Sequence, residues 1–405
     1  MKRILSRESL IRLLLVVVGI VAALVVVEFG LRAYYALSDR DGKYYVWPPN
    51  MQKVFRPTPG TMPGVGGPTV FRVNSDGIRG DELTADYEYR ILAVGGSTTE
   101  CLFLDQEVSW PYALQKKLNN LKGPKVWVGN AGKAGLSTRE HYMHVKYLLP
   151  QFSKVDAVVI LAGFNDLIRR LIEDEKYDPL FLQHYDYWEP RLIRGAFSET
   201  PYYKGKYRFR TGYYDESAVG SLVVRLKYLY SRRELVQDES GSIFINFRNL
   251  RKNAKEFVDD LPDLSSGLEE YETNLGRIID MVRARSIRIV FMTQPTMYRP
   301  DMTQEEKALL WCGWIESTKS GRYYSEKALA AGIKNYNETL LRVCRARGVE
   351  CIDLASMIPK NTTAFYDDVH FNDRGSLMTA EIVAQYLGHK EPFNKREPRG
   401  SPANR

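Results

Sequence analysis

Five short apolar runs set the frame for this chain: "RILAVG" (90–95), "KVWVGN" (125–130), "DAVVILAG" (156–163), "IRIVFMTQ" (287–294) and "VECIDL" (349–354). Their apolar content is continuous rather than alternating, the pattern of strands buried on both faces. Helical patterns fill the gaps near 108–122, 137–150, 264–285, 325–347 and 375–388. Strands alternating with helices fold as a parallel sheet with right-handed crossovers and helices on both faces. The expected fold class is α/β, a sandwich with about five parallel strands.

Ahead of this region stands "LLLVVVGIVAALVVV" (13–27), which continues through Phe29, Gly30 and Leu31 with Glu28 as its one interruption. About 20 mostly apolar residues span a bilayer core, so the run is just long enough. Lys2, Arg3, Arg7 and Arg12 precede it, which favours a cytoplasmic amino terminus and an exported remainder, periplasmic or extracellular. A secretory signal looks similar, but "FGLRAYYALSD" offers no small-x-small cleavage site, so an uncleaved single-pass anchor over 1–32 is the expectation. Residues 33–88, with "WPPN" and "RPTPGTMPGVGGPT", read as a linker and lead-in. An insertion over 168–262, rich in tyrosine and arginine, interrupts the α/β region of 89–388 and shows no further sheet strand. The polar stretch 389–405 reads as a disordered tail.

Composition narrows the function. The chain is 44% hydrophobic and 12% aromatic, which suits a packed core rather than a disordered chain. A net charge of +8 is interspersed along the sequence, with neither the basic stripe nor the module that nucleic-acid binding requires. Cys101, Cys312, Cys344 and Cys351 show no C-x-x-C spacing for a metal. In an oxidising compartment they allow three pairings, of which Cys344 with Cys351 and Cys101 with Cys312 is the expected one.

In an open parallel sheet the ligand site lies beyond the carboxyl ends of the strands. The first run leads into Gly95-Gly96-Ser97-Thr98 and the second into Asn130-Ala131-Gly132-Lys133-Ala134-Gly135. The third leads into Gly163-Phe164-Asn165-Asp166, and "YDDVHFNDRG" stands before the last helix. Together these supply the parts of acyl transfer. Ser97 is a nucleophile that needs a base, and His370 is that base. Asp367, three residues earlier, fixes the histidine tautomer, and Asp368 beside it has the wrong spacing. The N–H groups of Ser97 and Gly135 and the Asn165 amide are candidate oxyanion donors. His141 and His144 stand three apart without a third ligand, so packing is the expected role for both.

Gly-x-Ser, Asn-x-Gly-x-x-Gly, Gly-x-Asn-Asp and Asp-x-x-His, in that order at those places, resemble the SGNH superfamily, the GDSL esterases and lipases. The resemblance covers about 89–167 and 265–388. It implies a flavodoxin-like three-layer α/β/α fold and a serine ester-hydrolase or acyl-transfer mechanism, with Ser97, Gly135, Asn165, Asp367 and His370 as matching positions. Gly96 stands where the family has its eponymous aspartate, and Thr98 replaces the usual leucine. Neither metal nor cofactor is implied.

The expected activity is hydrolysis of O-acyl, chiefly O-acetyl, esters on cell-envelope glycans, with an acylated glycan or other ester as partner and the membrane held through the first helix. A polysaccharide O-acyltransferase with the same triad, a lipase-like esterase with "SLVVRLKYLYSRREL" (221–235) resting on lipid, and a non-catalytic glycan-binding scaffold are the alternatives. Oligomeric state is open.

Overall fold

The computed structural model describes residues 7–38, 43–173, 177, 185–198, 219, 222 and 239–394. Helix α1, Arg7–Ser38, is long and apolar enough to cross a membrane, a measure that a signal sequence also meets. It runs past residue 32, where the anchor was expected to end. Glu28, the acid in the apolar run, pairs with Arg32 one turn later at 2.7 Å, which offsets its charge. The helix belongs to one compact unit, and Tyr44–Glu199 with Asp238–Arg405 form another.

The second unit holds strands β1 (Gln52–Phe55), β2 (Thr69–Arg72), β3 (Tyr89–Gly95), β4 (Val126–Asn130), β5 (Ala157–Leu161), β6 (Glu256–Val258), β7 (Arg288–Met292), β8 (Arg322–Tyr324) and β9 (Glu350–Ile352). Its helices are α2 (Ser97–Glu100), α3 (Trp110–Asn119), α4 (Thr138–Met143), α5 (Phe164–Glu173), α6 (Tyr185–Ala196), α7 (Ser242–Lys252), α8 (Ser265–Arg283), α9 (Gln304–Lys307), α10 (Glu326–Arg347), α11 (Leu354–Met357) and α12 (Asp373–Gly388). The five expected strands form one parallel sheet in the order β4-β3-β5-β7-β9. Ile91, Leu92, Ala93 and Val94 of β3 are fully buried, as are Val158, Val159 and Ile160 of β5, which explains why these strands read as unbroken apolar runs. Helices α3 and α12 pack together, and α8 packs on α4, α5 and α10, giving the flavodoxin-like three-layer arrangement.

Register decides where the site lies. Gly95 pairs with Leu161, Leu161 with Met292 and Met292 with Ile352, so four strands end in one row. The sheet order reverses at β3, which has β4 on one side and β5 on the other. Loops leaving those three strands therefore converge at the switch point, where ligands bind in this architecture.

Several boundaries differ from expectation. From Tyr44 onward the lead-in is core rather than linker: Val46, Trp47, Phe55, Phe71 and Ile78 are all buried in the main cluster. Proline and glycine there prevent helix but not burial. Asn74 Oδ1 accepts from the N–H groups of Asp76 and Ile78, closing a turn that lays Arg79 against Asn130 and covers the edge of β4. The insertion does contain a strand, β6, which pairs in parallel with β8; at three residues it is too short to announce itself. Residues 202–214 and most of 221–235 lie outside the described residues. The tail is ordered at its start: Phe393 is buried and Lys390 reaches Glu350 at 2.8 Å, while 395–405 lie outside the described residues. All four cysteines are free thiols. Cys101 Sγ donates to the Thr98 carbonyl, and a hydrogen bond with Cys351 together with burial raises the Cys344 thiol above the usual cysteine value.

Candidate active site

Ser97 opens α2, a single turn directly after β3. As the first helical residue it has an N–H with no partner inside the helix. The turn ends at Cys101, a non-glycine residue in the left-handed region with φ 53°, a conformation that costs about 1–3 kcal/mol. Arg79 holds it there. Its buried guanidinium donates to the carbonyls of Glu100 and Cys101 at 2.6 Å each and of Leu104 at 2.8 Å, and to Gln106 Oε1 at 3.0 Å. Burial pushes this arginine down to about 10, still charged at neutral pH.

The loop before α12 presents His370. Asp367 Oδ1 accepts from the backbone N–H groups of Val369 and His370, a local turn that aspartate favours. That turn aims the carboxylate at the imidazole. His370 Nδ1 donates to Asp367 Oδ2 at 2.8 Å, and Ser97 Oγ lies 2.7 Å from His370 Nε2. Burial opposes charge on the imidazole, but the Asp367 carboxylate outweighs it and raises His370 above the usual histidine value. Burial alone would also raise Asp367; the charges of His370 and Arg248 hold it below the usual carboxylate value.

Two neighbours complete this arrangement. Trp311 Nε1 donates to Asp367 Oδ2 at 3.0 Å. Asp368 points away from the histidine and accepts from Tyr298 Oη, Trp311 N and Cys312 N, so it pins the loop that carries Trp311. Burial and the charge of Asp367 raise Asp368. Neither role was legible in the sequence, because the partners of Asp367 and Asp368 on this loop lie more than fifty residues away along the chain.

Beside Ser97 a recess of about 230 Å³, open mouth included, is lined by Leu136, His141, Leu161, Ala162, Phe164 and Asn165 among others. The Asn165 amide donates to the Leu136 carbonyl at 2.8 Å, which fixes its orientation at the rim. Gly135 adopts φ 77°, a conformation that favours glycine, and among the described residues its N–H donates to no backbone acceptor. It does not line the recess itself; its neighbour Leu136 does. Gly132 has a different reason: a Cβ there would meet the backbone of Thr99 and Glu100 at 2.2–2.5 Å. His144 packs in the interior and bonds the Ala196 carbonyl at 3.1 Å. His141 is equally buried yet lines the recess, near the backbone of Gly95. Burial pushes it down to about 4, so it is neutral at physiological pH.

Ser97, His370 and Asp367 form one hydrogen-bonded line, with a recess beside Ser97 at one end. The sequence model of the GDSL-like Lipase/Acylhydrolase family matches residues 80–377. The chain belongs to that family. As a GDSL-family protein it is a hydrolase acting on ester bonds. No curated protein matches the chain. Solved structures that resemble it include a member of the lipolytic protein G-D-S-L family from Veillonella parvula, with 11% identity, TM-score 0.37, and 75% of this chain and 100% of that one covered. Another is the acetylxylan esterase Axe2 from Geobacillus stearothermophilus, with 12% identity, TM-score 0.40, and coverages of 76% and 98%. Est24, a carbohydrate acetylesterase from Sinorhizobium meliloti, gives 11%, 0.38, 74% and 99%. Membership of the GDSL family rests on the sequence match.

Proposed function

We propose that this GDSL-family hydrolase removes O-acetyl groups from cell-envelope glycans through an acyl-enzyme on Ser97. The line from Asp367 through His370 to Ser97, at 2.8 and 2.7 Å, carries the reading. Ser97 Oγ attacks the ester carbonyl carbon while His370 Nε2 takes its proton. Asp367 keeps the imidazole in the tautomer with its proton on Nδ1 and stabilises the imidazolium. The N–H groups of Ser97 and Gly135 and the Asn165 amide bind the oxyanion. Collapse breaks the carbon–oxygen bond, and the leaving sugar oxygen takes the proton from His370. Water then attacks the acyl carbon with His370 again as base, releasing acetate.

Leu136, Leu161, Ala162 and Phe164 line the recess beside Ser97, apolar side chains that suit a short acyl group. Export is proposed from α1 and the basic residues before it, with the amino terminus cytoplasmic and the hydrolase unit periplasmic or extracellular.

A fluorophosphonate probe tests the nucleophile: the folded protein is expected to be labelled and Ser97→Ala is not. Absence of labelling on the wild-type protein overturns the esterase mechanism. With p-nitrophenyl esters of increasing length, acetate is expected to be the preferred acyl group, and a preference for long chains overturns that assignment.

A further inference from the structure

Trp311 links the triad to a larger aromatic array. Its indole plane lies 2° from that of His370, with centroids 6.4 Å apart. Phe247, on α7, stacks on Trp311 at 5.5 Å and 19°. Trp314 stacks on Trp311 at 6.1 Å and 26°, and Phe247 and Trp314 also stack on each other at 6.4 Å and 26°. All three rings are half-buried. The proposed chemistry gives the exposed parts of Phe247 and Trp314 no task.

Their position relative to the reacting atoms is informative. The acyl recess is built from the loops after β3, β4 and β5 and from Gln294, and includes none of the three rings. The array instead begins beside Asp367 and His370. In ester cleavage the histidine hands its proton to the leaving alcohol, so a surface beside the histidine meets the alcohol part of the substrate rather than the acyl part.

We infer that Phe247, Trp311 and Trp314 form the subsite for the sugar ring that bears the ester, with a pyranose stacking its C–H face on the exposed ring surface. This rests on the esterase reading of Ser97. Aromatic faces are electron-rich and attract the C–H groups that line one face of a pyranose. Three near-parallel rings present such a surface, whereas an acyl chain is better served by an aliphatic groove. A nucleotide would need cations for its phosphates. The two arginines on α7, Arg248 and Arg251, are buried and donate to backbone carbonyls.

The test uses the full chain with Ser97→Ala, so that bound ester survives, and an O-acetylated cellohexaose titrated by calorimetry. Adding Trp314→Ala is expected to weaken binding roughly tenfold, while Trp314→Phe, which keeps a ring, stays within about threefold of the parent. Circular dichroism confirms that each variant is folded. Equal affinity of folded Ser97→Ala with and without Trp314→Ala overturns the subsite. So does a Trp314 dependence seen for a palmitoyl ester but not for the oligosaccharide. Fluorophosphonate labelling of the wild-type protein judges the esterase reading on its own, and the glycan affinities decide the subsite whichever way labelling falls.

Discussion

The Asn165 side-chain amide occupies the space that a side chain on residue 96 would need: an ideal Cβ on Gly96 would sit 2.5 Å from Asn165 Nδ2. Gly96 itself has φ −83°, a value open to any residue, so the demand for glycine is steric contact alone. Glycine at 96, where the GDSL block has aspartate, lets the Asn165 amide lie against the serine turn.

We predict that Gly96→Ala displaces the Asn165 amide and lowers kcat on p-nitrophenyl acetate about a hundredfold, the scale of losing one oxyanion donor. The thermal midpoint should change little. Unchanged turnover in a folded Gly96→Ala protein would remove Asn165 from the oxyanion role.

The pH profile follows from His370. With its neutral form as the proposed base, kcat/KM should fall as pH drops through the histidine pKa, which Asp367 raises above the usual histidine value. In Asp367→Asn the charge that raises it is gone. The acid limb should move to lower pH, while the rate on the plateau falls by about four orders of magnitude through the wrong tautomer. An acid limb that stays in place in Asp367→Asn contradicts this coupling.

Arg79 supports the serine turn from behind. Arg79→Met would strand three carbonyls and the Gln106 side chain in the interior, at about 1–3 kcal/mol for each unsatisfied group. A loss of at least roughly 3 kcal/mol in urea denaturation is expected. A loss below about 1 kcal/mol would mean that the turn holds itself.

Glu350 on β9 accepts from Arg288 on β7 and from Lys390 after α12. Burial would raise this carboxyl, but those two cations hold it down at about 2, against 4.5 unperturbed. A depressed carboxyl stabilises the fold above its unfolded pKa and ceases to do so as pH falls through the folded one. Glu350→Gln should therefore cost about 1 kcal/mol at neutral pH after solvent screening. The gap in urea midpoint between the two proteins should narrow as pH is taken from 5 to 3. A gap independent of pH would assign the cost to packing.

Strand ends were readable because a strand buried on both faces must be apolar throughout, and the residues where such runs stop are few. Ser97, Asn165 and His370 followed from that rule together with their order along the chain. Burial of Trp47 and Phe71 is not legible for the opposite reason: proline and glycine around them report on backbone conformation and say nothing about whether a side chain is covered. Trp311 and His141 carried no local sign. Trp311 matters through a bond to Asp367 formed only when distant loops meet, and His141 through its aim into a recess that does not exist until β3, β4 and β5 are side by side.

Arg248 donates to the carbonyls of Thr61, Leu309 and Tyr366, and Arg251 to those of Cys312 and Tyr324. Every one of those acceptors is main chain, which any amino acid supplies. The aromatic wall is thus fastened by bonds blind to the identity of the residues it carries. Replacing Trp314, whose indole makes none of these bonds, leaves the fastening in place, so the exposed face of the proposed subsite can diverge at that side chain alone.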